Sequence, residues 1–215
     1  MTVKSIINGG EWKRGVSHLC EVDSVLKQLI HQYEGDRLIP THRNPLETLV
    51  RAIVGQQISV VAADKIWQRL QAGLTRIDPK IILTFTVSAL RQYGLSRSKA
   101  TYIINVAHYF HTHSVTASDF DRMTPEDVMR QLSNIKGIGP WTIEMFMIFY
   151  LGYPDILPIT DLGVLNAIKI RYEEAPVERS ELMPWIEKHS QKWRPYRTIA
   201  TWYLWRSIDA EVVAY

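Results

Sequence analysis

The chain has a single cysteine, Cys20, in 215 residues. That excludes an intrachain disulfide framework, and it excludes iron–sulfur clusters and zinc sites built from several thiolates. A reducing compartment is the matching expectation. Glycine (11) and proline (10) are too scarce for a collagen-like or repeat-rich chain. The longest apolar run, Met145 to Tyr153, is nine residues, whereas a membrane helix needs about twenty. The first fifteen residues hold no apolar signal-peptide core. The chain is therefore expected to be soluble and intracellular, in the cytoplasm or nucleoid of a prokaryote or the nucleus of a eukaryote. Neither charge sign dominates: 25 basic against 22 acidic residues leave +3. That permits nucleic-acid binding without requiring it. Neither G-x-x-x-x-G-K nor H-E-x-x-H occurs, so the P-loop and zinc-hydrolase signatures are missing.

What is present is globular. Hydrophobic residues make up 46% and charged residues 22%, enough to bury a core and too apolar for wholesale disorder. The periodicity predicts an all-α chain. Asn44-Pro45-Leu46-Glu47 resembles a capping box with proline at the first helical position. Leu46, Leu49, Val50, Ile53 and Val54 follow at helical spacing. Ser59 is placed to cap the next helix, which Gly73 is expected to end. Ser96 and Thr124-Pro125-Glu126-Asp127 open two more. Trp141 to Leu151 is apolar almost all round, as in a buried central helix. Further helices are expected over Asp161–Arg171 and Pro195–Arg206, and Ile81-Ile82-Leu83 is the one strand-like run. The expected organisation is a single domain of two helical lobes. One spans about residues 40–150, and the other combines the N-terminal segment with residues 151–215.

The stretch Leu132-Ser133-Asn134-Ile135-Lys136-Gly137-Ile138-Gly139-Pro140-Trp141-Thr142 runs from one helix through a two-glycine turn into the next. Glycines there let backbone come close to a partner. The N–H groups of Gly137 and Gly139 then lie at a helix N-terminus, which suits a phosphate. By itself the G-x-G also reads as a plain helix–helix turn. About twenty residues later, Pro158-Ile159-Thr160-Asp161-Leu162-Gly163 delivers a carboxylate to a helix start. There Asp161 reads either as an N-cap or as a chemical group.

Hairpin, apolar helix, proline-rich loop and Asp161 together resemble the helix–hairpin–helix/Gly-Pro-Asp DNA glycosylases. The flanks resemble 3-methyladenine DNA glycosylase II proteins in particular. Arg51-Ala52-Ile53-Val54-Gly55-Gln56-Gln57-Ile58-Ser59 is similar to their minor-groove segment, and Trp193 through Trp205 to their C-terminal helix. The resemblance runs from about residue 40 to 207. Two departures stand out: only about 40 residues precede Asn44, so this looks like a compact form without the N-terminal β-lobe, and Lys136 stands where the hairpin usually has proline.

The resemblance implies a monofunctional glycosylase that excises alkylated bases, 3-methyladenine above all, from double-stranded DNA. It implies Asp161 as the catalytic carboxylate, and Trp141, Met145 and Trp205 as the base pocket. Gln57 takes the place of the wedge that fills the gap left by a flipped base, with Ser59 beside it at the minor groove. Lys136, Gly137, Gly139 and Thr142 are the expected hairpin contacts to DNA. Arg51, Lys99 and Arg197 read equally as phosphate ligands or surface charges. No cofactor is expected to be required; the carbonyls of Ser133, Ile135 and Ile138 match those that hold a structural Na+ or K+. A monomer that binds no membrane is expected. Two alternatives stay open here: a non-catalytic helix–hairpin–helix DNA-binding module, and a glycosylase/lyase for oxidised bases. His108, His111 and His113 read as surface residues.

Overall fold

A computed structural model describes residues 6–40 and 44–208. Residues 1–5, 41–43 and 209–215, which the expected lobes include, lie outside the described residues. Among the described residues there are twelve α-helices and no strand. They are α1 Gly9–Val22, α2 Ser24–Gln32, α3 Pro45–Gly55, α4 Val60–Leu74, α5 Pro79–Ile82, α6 Val87–Arg91, α7 Arg97–Thr112, α8 Pro125–Leu132, α9 Pro140–Phe149, α10 Leu162–Arg171, α11 Arg179–His189 and α12 Arg197–Arg206. Short 3₁₀ turns cover Ala117–Phe120 and Ser190–Trp193. The described residues fall into two compact units, 44–151 and 6–40 with 152–208. No helix among them is long and apolar enough to cross a membrane.

The unit over 44–151 is built on α3, which packs against α7 and α9. Leu49, Val50, Ala52, Ile53 and Val54 are fully buried, so the apolar stripe of α3 widens to nearly its whole surface. Phe120 meets Phe146 edge-on at 5.0 Å, and Phe146 stacks on Tyr150 at 4.8 Å. Asn44 caps α3 through the N–H groups of Leu46 and Glu47. Thr124 and Asp127 form a full capping box on α8.

Two local expectations change. Gly73 does not end α4, which continues through Leu74 to Thr75 in a positive-φ conformation (φ 57°). Gly73 serves close packing instead, because a Cβ there would lie 2.2 Å from the Tyr93 ring. The strand-like Ile81-Ile82-Leu83 closes a one-turn helix that Asp78 caps through Lys80 N–H, with Ile82 buried against α7. Tertiary burial outweighs β propensity in so short a run.

The other unit is centred on α12, against which α1, α2 and α10 pack. Residues 198–205 of α12 are all buried. The N-terminal helices escape the periodicity argument because their junction turns on one buried carboxylate. Asp23, 3% exposed, ends α1 and caps α2 through Val25 and Leu26 N–H. Its other oxygen accepts from Trp193 Nε1 at 2.8 Å, Tyr172 OH at 3.1 Å and His189 Nε2 at 3.1 Å, with Lys192 Nζ at 3.2 Å.

Burial pushes Asp23 up. The His189 bond, the Leu26 N–H, Trp193 and the Lys192 charge outweigh it and hold the carboxyl well below its usual range. A depressed folded-state pKa gives stability that is present above the unfolded value. It is lost as pH falls below about 4 toward the folded value. Asp23→Asn should therefore cost about 1–3 kcal/mol at neutral pH, and the gap to wild type should narrow in acid. Denaturant unfolding at pH 7 and pH 3 checks this; an unchanged gap contradicts it.

Candidate active site

The approach to Asp161 starts at a loop whose prolines, Pro154 and Pro158, keep it out of helix. The first turn of α12 fastens that loop. Thr198 Oγ1 donates to Tyr153 O at 2.6 Å and accepts from Ile156 N–H at 2.9 Å. Asp155 accepts from Arg197 Nε at 2.6 Å and from Arg194 Nη1 at 2.8 Å. Asp161 N–H then donates to Pro158 O at 3.0 Å, which sets the carboxylate at the start of α10.

There Asp161 does two things. Its Oδ1 caps α10, accepting from Val164 N–H at 2.9 Å. The same Oδ1 accepts from Trp205 Nε1 at 2.8 Å. One oxygen thus takes both bonds, one from backbone and one from the last turn of α12. Trp205 is buried, and Asp161 is half-buried. Gly163 makes the pairing sterically possible: a Cβ there would lie 3.0 Å from Asp161 Oδ1 and 3.1 Å from Trp205 Cδ1. The Trp205–Asp161 bond is not legible in the sequence, because an indole N–H has no periodicity. The glycine two residues after the aspartate was the only available hint of crowding.

The hairpin belongs to the other unit. Ile135 and Ile138 are buried and anchor the turn, while Lys136 and Gly139 are exposed between and after them. Gly137 sits at φ 101°, and a Cβ on it would lie 2.1 Å from the Tyr102 ring. The first glycine is thus required twice over, by its conformation and by its neighbour. Gly139 is the N-cap of α9 with φ −97°, and a Cβ there meets nothing within 4 Å. Asn105 Nδ2 donates to Lys136 O at 3.0 Å and ties the turn to α7. The Ser133, Ile135 and Ile138 carbonyls lie along this turn; that of Ile135 already accepts from Ile138 N–H at 3.0 Å and keeps one lone pair.

One expected contact, Thr142, and three cations left open between phosphate and solvent turn inward. Thr142 is 1% exposed, and its hydroxyl accepts from Gln56 Nε2 at 2.9 Å, so its side chain faces protein. Arg51 is buried, paired with Asp64 and set over the Trp67 ring at 5.6 Å. Lys99 is half-buried and donates to Val54 O at 2.9 Å; burial lowers its pKa. Arg197 is held by Asp155. Each cation meets an acceptor in its own unit: half-buried carboxylates, Asp64 and Asp155, for the two arginines, and the carbonyl of buried Val54 for Lys99. Met145 is 1% exposed, a core residue of α9, whereas Trp141 is half-buried. Gln57 and Ser59 are exposed; Ser59 caps α4 through Ala62 N–H. Gln57 adopts φ 56°.

A two-glycine hairpin between α8 and α9, followed by a carboxylate capping the next helix, defines a helix–hairpin–helix protein of the base-excision type. The family model described as "HhH-GPD superfamily base excision DNA repair protein" matches residues 50–188, and the chain belongs to that superfamily. It is 33% identical over 202 residues to the alkylbase DNA glycosidase-like protein mag2 of Schizosaccharomyces pombe, covering 91% of this chain and 93% of that protein. Among solved structures it matches S. pombe 3-methyladenine DNA glycosylase Mag1, in complex with abasic DNA, with a TM-score of 0.80 and 27% identity over 90% of this chain and 96% of that one. It also matches a DNA-3-methyladenine glycosidase from Bacillus halodurans with a TM-score of 0.71 and 33% identity, covering 90% and 88%.

Proposed function

We propose that this protein is a monofunctional DNA glycosylase of base excision repair that hydrolyses the N-glycosidic bond of N-alkylated purines, 3-methyladenine first among them. The observation that carries the reading is Asp161, with Oδ1 held by Val164 N–H and Trp205 Nε1 at 2.9 and 2.8 Å, in a chain that also has the two-glycine hairpin. A carboxylate fixed in this way supports an oxocarbenium-like sugar as the bond to the base breaks, and orients the attacking water. A 3-methylated adenine is cationic and leaves as a neutral base, so little acid catalysis at the base is needed. Trp141, half-buried on α9, is the aromatic residue we assign to attract such a cation. The hairpin and Lys136 meet phosphate, while Gln57 fills the gap in the stack. The backbone carbonyls of Ser133, Ile135 and Ile138 are the ones we assign to a Na+ or K+ ion that stiffens the hairpin, oxygen donors of the kind hard cations take. Localisation with the genome follows from the substrate.

Glycosylases that also nick DNA attack the sugar with an amine and form a Schiff base. The second residue after Gly139 is Trp141, whose indole has no basic nitrogen. Lys136 is exposed on the turn, its carbonyl held by Asn105. Incubation of dimethyl-sulfate-treated duplex with borohydride should therefore trap no covalent complex, and strands should break only after alkali. A trapped adduct that disappears in Lys136→Met overturns the monofunctional reading. Release of methylated purines by wild type separates the enzyme from a non-catalytic DNA-binding module.

Trp205→Phe keeps a ring and deletes the N–H. It should slow excision by about tenfold, the rate equivalent of one bond to a charged acceptor. The loss should be equal for cationic 3-methyladenine and neutral hypoxanthine if the indole acts through Asp161. A loss confined to the cationic base assigns the ring to cation–π binding instead. Gly163→Ala, which crowds the same pair, should act in the same direction.

A further inference from the structure

Gln57 is an uncharged, unbranched residue held at φ 56° between two helices. The left-handed region is disfavoured for a non-glycine residue, and such strain persists where the surroundings over-determine it. The restraints are visible on either side. Before it, Lys99 Nζ from α7 holds the Val54 carbonyl in the last turn of α3. Next to it, the Gln56 side chain reaches across 86 residues of sequence to Thr142 Oγ1 at 2.9 Å and to Gly137 O at 3.4 Å. After it, Ser59 caps α4. Thr142 is 1% exposed and fixed in the first turn of α9, so the bond is anchored in the core. Gly137 is the first glycine of the turn assigned above to phosphate. The loop that carries the exposed Gln57 is thus joined by one amide to the element that grips phosphate.

We propose that Gln56 is a positioning residue that latches the Gln57 loop to the hairpin, so that seating the hairpin on phosphate presents the wedge already in its inserting conformation. The proposal rests on the glycosylase reading above, in which Gln57 occupies the gap left by a flipped base. The latch stores no charge and touches no substrate. It lowers the ordering cost of insertion, because a loop that is free in solution must be fixed on DNA at the expense of binding. Its effect therefore appears in DNA that has a gap to fill and not in intact duplex, where the hairpin contact alone operates.

The experiment compares Gln56→Ala, Thr142→Val and Thr142→Ser with wild type. Affinity is measured for an undamaged duplex and for one carrying a tetrahydrofuran abasic analogue. Methylpurine release from dimethyl-sulfate-treated DNA is measured alongside. Wild type should prefer the abasic duplex. Gln56→Ala and Thr142→Val should each lose about tenfold of that preference, within the range of coupling between contacting residues, with affinity for undamaged duplex unchanged within about twofold. Thr142→Ser, which keeps the hydroxyl, should retain the preference. The Gln56→Ala/Thr142→Val double variant should be no worse than the poorer single one. Additive losses, equal losses on both duplexes, or an intact preference in both single variants overturn the latch while leaving the glycosylase reading in place. Absence of both methylpurine release and abasic preference in wild type removes that reading, and the latch with it.

Discussion

Asp161→Asn is expected to lower excision of methylated purines by at least about a hundredfold, since removing one preorganised stabilising group typically costs 10²–10³ in rate. The substitution isolates charge from structure unusually well here. Asparagine caps helices about as well as aspartate, and its carbonyl oxygen can take the place of Oδ1, accepting from Val164 N–H and Trp205 Nε1. The start of α10, the proline loop and the seat of Trp205 should all stay as they are. The loss is the negative charge that faces the developing sugar cation. Binding to an abasic-analogue duplex should change little, and the unfolding midpoint should move by no more than a few degrees. Asp161→Ala should add a capping defect of about 1 kcal/mol to the same rate loss. Near-normal turnover in the folded Asn variant would sink the assignment of Asp161.

Much of this was legible in the sequence, and the part that was not has a consistent physical character. Helix starts were read from local chemistry that acts within three residues: Asn44, Ser59, Ser96, Thr124 and Asp161 all cap through their own side chains. The apolar α9 and the hairpin were likewise readable because their signal is contiguous. The missed features depend on partners far away in the chain. Asp23 joins groups at residues 172, 189, 192 and 193. Gln56 reaches Thr142, and Trp205 reaches Asp161 across 44 residues. Arg51, Lys99 and Arg197 illustrate the same point in reverse. In the sequence they read equally as phosphate ligands or surface charges, yet each meets an acceptor inside its own unit. A charge-assisted hydrogen bond to an acceptor already fixed nearby draws such a head inward.

The two hairpin glycines, which look alike in sequence, should part company on mutation. Gly137→Ala places a methyl group 2.1 Å from the Tyr102 ring at φ 101°. Relief requires both a backbone change and displacement of a half-buried tyrosine, so the turn should rebuild. Loss of duplex affinity should come with destabilisation, of about 1–2 kcal/mol for the left-handed conformation alone. Gly139→Ala is different. Its φ of −97° suits any residue, and a Cβ there meets nothing within 4 Å. The free protein should be as stable as wild type or slightly more so, because alanine narrows the unfolded ensemble. Any loss of DNA affinity in that variant must then come from the methyl group standing where the phosphate approaches the first N–H groups of α9. A fall of about tenfold, shared by all sequences and by damaged and undamaged duplex, is expected, since the contact reads backbone and not bases. Thermal unfolding and duplex titration at several salt concentrations measure the two quantities separately. If Gly139→Ala binds duplex as wild type does, the phosphate does not approach over Gly139. If Gly137→Ala is as stable as wild type, the Tyr102 contact is not what fixes the turn.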